Sequence, residues 1–218
     1  MPPLALVKEP PAQAPSTSAR VGRPRNEELD ALILHAVREA LVDRGYGGLT
    51  IQDVTRRCGV NVRTITRRWS TKPELVAAAV LGPSHGPDAT GELPVPAPTG
   101  DLRRDVRRLI EATLSYLAEP ASRAALPALW GETLTNPRIR ELLDERDREW
   151  AAAVEAVVRE AVKSGTAPPG AVGRAAPLPR ILAGISMGIG SMDGVAPDCG
   201  IVDEVTDFVV GALVADGS

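Results

Sequence analysis

The chain has 218 residues, 44% hydrophobic and 24% charged, with a net charge of −3, a balance that excludes general disorder. No run approaches the ~18 apolar residues a membrane helix needs. Its two cysteines, Cys58 and Cys199, stand far apart in the sequence, which argues against a disulfide framework or a metal site; a cytoplasmic protein without a cofactor is expected.

Residues 1–19 carry prolines at positions 2, 3, 10, 11 and 15 and no signal-peptide core, so a disordered extension is expected there. From Leu29 the pattern turns helical: Leu29, Leu32, Ile33, Ala36, Val37, Ala40 and Leu41 make one apolar stripe, which Gly45 ends. Thr50 is placed to cap a second helix, with Asp53 at the third position, and that helix runs to Cys58. Gly59 supplies a turn, and Asn61 caps a third helix from Val62 to about Trp69. Ser70 or Thr71 caps a fourth, with Pro73 in its first turn and Leu75, Val76, Ala79 and Val80 inside.

Residues 82–100 hold five Pro and four Gly and read as a loop. Longer helices follow: one opened by Asp101, one over Ala121–Trp130 that Pro127 should kink or break, and one over about Arg138–Lys163. After a second Pro/Gly-rich break at 165–179 come helices over Arg180–Met192 and about Val202–Val214. No alternating strand pattern competes. The fold expected is all-α, of about nine helices, with a three-helix head over 20–81 and a helical regulatory and dimerisation domain over 101–218.

Charge divides along the same line. Residues 20–81 carry 11 Lys/Arg against 7 Asp/Glu, whereas residues 82–218 carry 13 against 20. A basic small module on an acidic larger one is the asymmetry expected when one end meets phosphate. Within the head, Leu49–Trp69 satisfies the needs of a helix-turn-helix: a capped short helix, a glycine turn, and a second short helix with a basic outer face. Ile51, Val54, Val60, Ile65 and Trp69 are spaced to face inward, which leaves Arg63, Thr64, Arg67 and Arg68 outward, where arginine can fork onto guanine or pair with phosphate.

Residues 21–81 resemble the DNA-binding domain of TetR-family regulators. The matching segments are Gly22–Arg25 (GRPR), Arg44–Thr50, Cys58–Ile65 and Arg67–Leu75, in register over about sixty residues. The resemblance implies phosphate contacts from Thr50 and Lys72, base-edge contacts from Arg63 and Thr64, a base or phosphate contact from Arg67, and a backbone contact from Arg68. Thr66 departs from the family, which usually has a tyrosine there; it keeps a hydroxyl but loses the ring. Arg20, Arg23 and Arg25 form an arm that either follows the DNA backbone or minor groove, or is simply solvated. The resemblance further implies an effector cavity among the central helices, where Tyr116, Trp130 and Trp150 either line it or belong to plain core. With so few rings, such a cavity should be aliphatic and suit a small apolar effector.

Two stripes look built for a second copy of the chain: Ile181, Leu182, Ile185, Ile189 and Met192, and Val202, Val205, Phe208, Val209, Ala212 and Leu213. The alternative is burial within one chain. Dimerisation suits DNA binding, because two recognition helices must reach major-groove faces about 34–36 Å apart. The function expected is a ligand-responsive transcriptional regulator, usually a repressor, binding an inverted repeat in double-stranded DNA as a homodimer. The alternative is a small-molecule-binding helical protein with a degenerate head. An enzyme is not expected: the acidic run from Glu141 to Glu149 alternates with arginines as a solvated face does, Cys58 and His35 read as structural, and Gly184, Gly188 and Gly190 fall in a helix, not after a strand.

Overall fold

The computed structural model describes residues 27–82, 95–192 and 199–215. The expectations for the tail before residue 27 (with Arg20, Arg23 and Arg25), for most of the 82–100 loop, and for the side chains of Ile189 and Met192 lie outside the described residues. Among those described, all regular structure is helical: α1 Glu27–Gly48, α2 Ile51–Cys58, α3 Val62–Thr66, α4 Lys72–Leu81, α5 Leu102–Ala118, α6 Pro120–Glu132, α7 Pro137–Lys163, α8 Ala171–Ala175, α9 Leu178–Met192 and α10 Cys199–Val214. None of these helices is long and apolar enough to cross a membrane.

Local chemistry sets most boundaries. Gly45, at φ 65° and ψ 176°, breaks α1 as the sequence suggested, because an L side chain avoids that region. Gly59, at φ 70°, closes α2 by donating its N–H to the Thr55 carbonyl at 2.9 Å. Thr71 caps α4: its hydroxyl accepts from the Glu74 N–H at 3.3 Å, and Glu74 accepts from the Ser70 N–H at 2.9 Å. Asp101 caps α5, accepting from the Arg104 N–H at 2.9 Å.

Two sequence expectations need correction. Pro127 neither breaks nor ends its helix; α6 runs through it. The proline is exposed, while Ala121, Ala125, Leu126 and Leu129 bury the opposite side, so packing holds the turn that the missing N–H weakens. The stretch at 165–179 is also not all loop: α8 forms within it and buries Ala171 and Ala175.

The core falls into two clusters that α7 spans. The upper one joins Ile33, Val37, Leu41, Val54, Ile65, Leu75 and Val80 of the head to Ala125 and Leu129 of α6 and to Ile139 and Leu143 of α7. The lower one gathers Leu109 and Ile110 of α5, Val154, Val157 and Val158 of α7, and apolar residues of α8, α9 and α10. The small head therefore shares its core with α6. At 27 residues, α7 is about 40 Å long, enough to run beside both clusters. Two ion pairs, Arg103 with Asp207 and Arg107 with Asp203, fix α10 along α5.

The shared core makes a measurable prediction. Leu129 is fully buried in α6 yet packs in the same cluster as α1 and α4. Leu129→Ala is expected to lower stability by about 2–5 kcal/mol in denaturant unfolding, and to raise amide exchange in α1 and α4 as well as in α6. Protection lost from α6 alone would mean that the head folds independently.

Candidate nucleic-acid interface and effector cavity

The second helix of the pair, α3, is held from behind. Ile65 is fully buried and Trp69 packs on the same cluster, while Arg63 and Arg67 stand exposed on the other side. Asn61 caps α3, its side-chain oxygen accepting from the Thr64 N–H at 2.9 Å. Thr64 and Thr66 are half-buried, and the Thr66 hydroxyl turns back toward the Arg63 carbonyl at 3.5 Å.

Arg68 departs from the outward position that helical spacing suggested. Its Nε donates to Asp30 at the start of α1, and its side chain is only 20% exposed. It serves as a brace between α3 and α1, because a carboxylate in α1 captures it before solvent can.

At the corner before α2, Thr50 accepts from the Asp53 N–H at 3.2 Å and donates its hydroxyl to the Asp53 carboxylate at 2.7 Å. The Thr50 hydrogen bond, with Arg44 and Arg56 close by, holds the Asp53 carboxyl below its ordinary value against the opposing effect of burial. Lys72 lies over the Tyr46 ring at 4.7 Å and donates to the Gly47 carbonyl at 3.4 Å, which sets its ammonium beside the Thr50 corner. Tyr46 in turn donates to Glu132 of α6 at 3.1 Å; burial first, then Glu132, push its phenol up to about 12. Thr50 and Lys72 thus lie together at the corner before α2, while Arg63 in α3 and Arg67 just after it stand exposed.

The far end of α4 meets a cavity. Tyr116, Trp130 and Trp150, expected either in core or in a pocket wall, line the same narrow cavity of about 60 Å³ together with Leu109, Leu117 and Leu126. The polar side chains Thr113, Arg146 and Asp147 also reach it. Arg146 belongs to the alternating stretch whose pattern implies a solvated face, and its half-buried contact with the Leu81 carbonyl has no local signal. Leu81, the last residue of α4, completes part of the wall.

Around that end, three carbonyls are each taken by a different helix. Arg38 of α1 donates to Ala79 at 2.9 Å, Tyr116 of α5 donates to Val80 at 2.8 Å, and Arg146 of α7 donates to Leu81. Burial lowers the Arg38 pKa below its ordinary value, with Glu119 opposing. Burial likewise pushes the Tyr116 phenol up to about 12, and Arg146 opposes it.

The expected partner-facing stripes are divided. Leu182 and Val209 belong to the chain's own lower core, and Val205 packs half-buried against it. Phe208 is 62% exposed, Ile181 is 39% exposed, and Ile185 is half-buried.

A capped helix, a glycine turn and an outward basic helix define a helix-turn-helix DNA-binding regulator. Two sequence profiles carry this further: bacterial regulatory proteins of the tetR family match residues 33–79, and the tetracyclin repressor-like C-terminal domain matches residues 96–209. The chain belongs to the TetR family of transcriptional regulators. An uncharacterized HTH-type transcriptional regulator of Mycobacterium tuberculosis is 30% identical over 143 residues, and the match spans 65% of each chain. A transcriptional regulator from Pseudomonas aeruginosa shares the fold, with a TM-score of 0.61, 23% identity, and 89% of this chain and 94% of that one covered. FadR from Bacillus subtilis, solved in complex with stearoyl-CoA, has a TM-score of 0.52 and 15% identity over 84% of this chain and 97% of its own.

The Thr50–Asp53 pair predicts a pH effect. A carboxyl held low in the folded chain contributes stability that is present above the ordinary aspartate value of about 3.9. That contribution is lost as pH falls through the lower folded value. Wild type should therefore show an acid-side loss that Asp53→Asn flattens, as read by thermal unfolding between pH 2 and 6; identical profiles would refute it. For Arg68, a double-mutant cycle with Asp30→Ala is expected to show coupling on the order of 1 kcal/mol in stability, with DNA affinity changed less by Arg68→Ala than by Arg67→Ala.

Proposed function

We propose that the chain binds an inverted-repeat operator as a homodimer and leaves it when a small apolar effector enters the inner cavity, so acting as a repressor in the cytoplasm. The observation that carries this reading is the span of α4. Lys72, at its start, stands beside the Thr50 corner, and Leu81, at its end, forms cavity wall. Thr50 and Lys72 contact phosphate in this reading; Arg63, Thr64 and Arg67 approach bases, and Thr66 adds a weaker backbone contact.

The size of the cavity supports a switch. About 60 Å³ is room for roughly two waters, whereas ligand pockets usually measure about 300–1,000 Å³. An effector thus binds a widened state better than this one, and that difference is what moves a population. Even a tenfold difference is worth about 1.4 kcal/mol per site. The shared fold with FadR, solved with stearoyl-CoA, supports a ligand-responsive reading. The dimer is supported by exposed Ile181 and Phe208 with half-buried Ile185. Nearby Gly184, Gly188 and Gly211 have open space where a side chain would project, which permits close helix approach.

Gel shifts on DNA upstream of the protein's own gene test the reading, with light scattering for the dimer. Lys72→Ala is expected to weaken all sequences alike and lower the slope of log affinity against log salt by about one. Arg63→Ala should cost about 1–3 kcal/mol and relax preference at one base pair in each half-site. Salt-independent binding, or a monomer on DNA, would contradict the proposal; absence of any DNA binding would favour a small-molecule-binding protein with a degenerate head.

A further inference from the structure

The inner cavity is apolar over most of its wall, but Arg146 and Tyr116 bring a guanidinium and a phenol hydroxyl to the part nearest α4. Both donate to main-chain carbonyls of α4, Arg146 to Leu81 and Tyr116 to Val80 at 2.8 Å. The Arg146 side chain is only 11% exposed. One of its terminal nitrogens pairs at 2.9 Å with Glu149, which is 53% exposed, while the other faces the neutral Leu81 carbonyl. Arg146 thus keeps one nitrogen on Glu149 and holds the other on a neutral amide oxygen, a weaker acceptor that an anion can displace.

Resting on the reading of this cavity as the effector site, we propose that its ligand is an apolar carboxylic acid whose carboxylate takes Arg146 and Tyr116 from the Leu81 and Val80 carbonyls. Hydrogen bonds to an ionised acceptor are shorter and roughly twice as strong as those to a neutral one, and a guanidinium can meet a carboxylate with two parallel N–H groups. The hydrocarbon part lies against Leu109, Leu117, Trp130 and Trp150. Losing both donors frees the end of α4, and the cavity must widen to admit the acid; binding and release of the helix are one event.

A cationic head group would instead have to pair with Asp147. That carboxylate is exposed, and it borders a surface recess of about 610 Å³ lined also by Asp144, Arg148 and Arg180. An ion pair there competes with water and with the resident arginines. Asp147 and Pro179 line both the recess and the inner cavity, so the two adjoin.

Intrinsic fluorescence reads the site, since two of the three tryptophans line it. The full-length chain is titrated with octanoate, 1-octanol and octylammonium at equal ionic strength. Octanoate is expected to bind at least about tenfold more tightly than octanol. Arg146→Met should bring octanoate down to the octanol level while leaving octanol within about twofold, and Tyr116→Phe should reduce the preference about fivefold. Equal affinity for acid and alcohol, or tightest binding of octylammonium, overturns the acid assignment and leaves the cavity as effector site. If all three probes leave both fluorescence and thermal unfolding unchanged, the cavity reading falls and this proposal with it. The acid-to-alcohol comparison is made on the unaltered chain, so it decides the matter even if Arg146→Met fails to fold.

Discussion

A helix ends with carbonyls that no later turn can satisfy, and in α4 the last of these have become the joint between the two parts of the molecule. Ala79, Val80 and Leu81 accept from Arg38, Tyr116 and Arg146, which come from α1, α5 and α7. Tyr116 and Arg146 are largely shielded from water, so breaking either contact leaves polar groups to be satisfied elsewhere. The end of α4 is therefore held by one donor from the head and two from the larger helical part.

The packing around this joint is continuous. Ala125 and Leu129 of α6 share a cluster with Ile33 and Val37 of α1 and with Val76 and Val80 of α4, and Tyr46 at the head's corner reaches Glu132 at the end of α6. Close-packed interiors shift between discrete arrangements rather than yielding gradually. Tyr46 and the α4 axis are thus two physical connections between the larger helical part and the Lys72–Thr50 corner.

Much of the helix-turn-helix was legible because its determinants are local. Thr50 with Asp53, Gly59, Asn61 and Thr71 act on backbone groups within a few residues, so type and spacing alone placed α2 and the starts of α3 and α4, although α3 ends at Thr66 and not near Trp69. The outward position of Arg63 and Arg67 follows from the inward position of Ile65 on a helix of known period. Arg68 shows where that logic stops: the period points it outward, but Asp30, 38 residues earlier, draws it back onto α1. Pro127 and α8 were misread for the complementary reason, since burial of alanine faces outweighs a local breaker only once the neighbours are in place.

By itself, the sequence determined the helical architecture, the capped reading head, the charge division and the family, all of which depend on periodicity, caps and motifs a few residues long. Only the tertiary structure decided that Arg146 turns to the Leu81 carbonyl, that Leu182 and Val209 serve the chain's own core, and that Tyr116, Trp130 and Trp150 surround one narrow cavity. The contacts at the end of α4 join residues 36, 41 and 65 positions apart. Whether such groups meet depends on the angles at which whole helices pack, and those are set by the sum of many buried side chains rather than by any short segment.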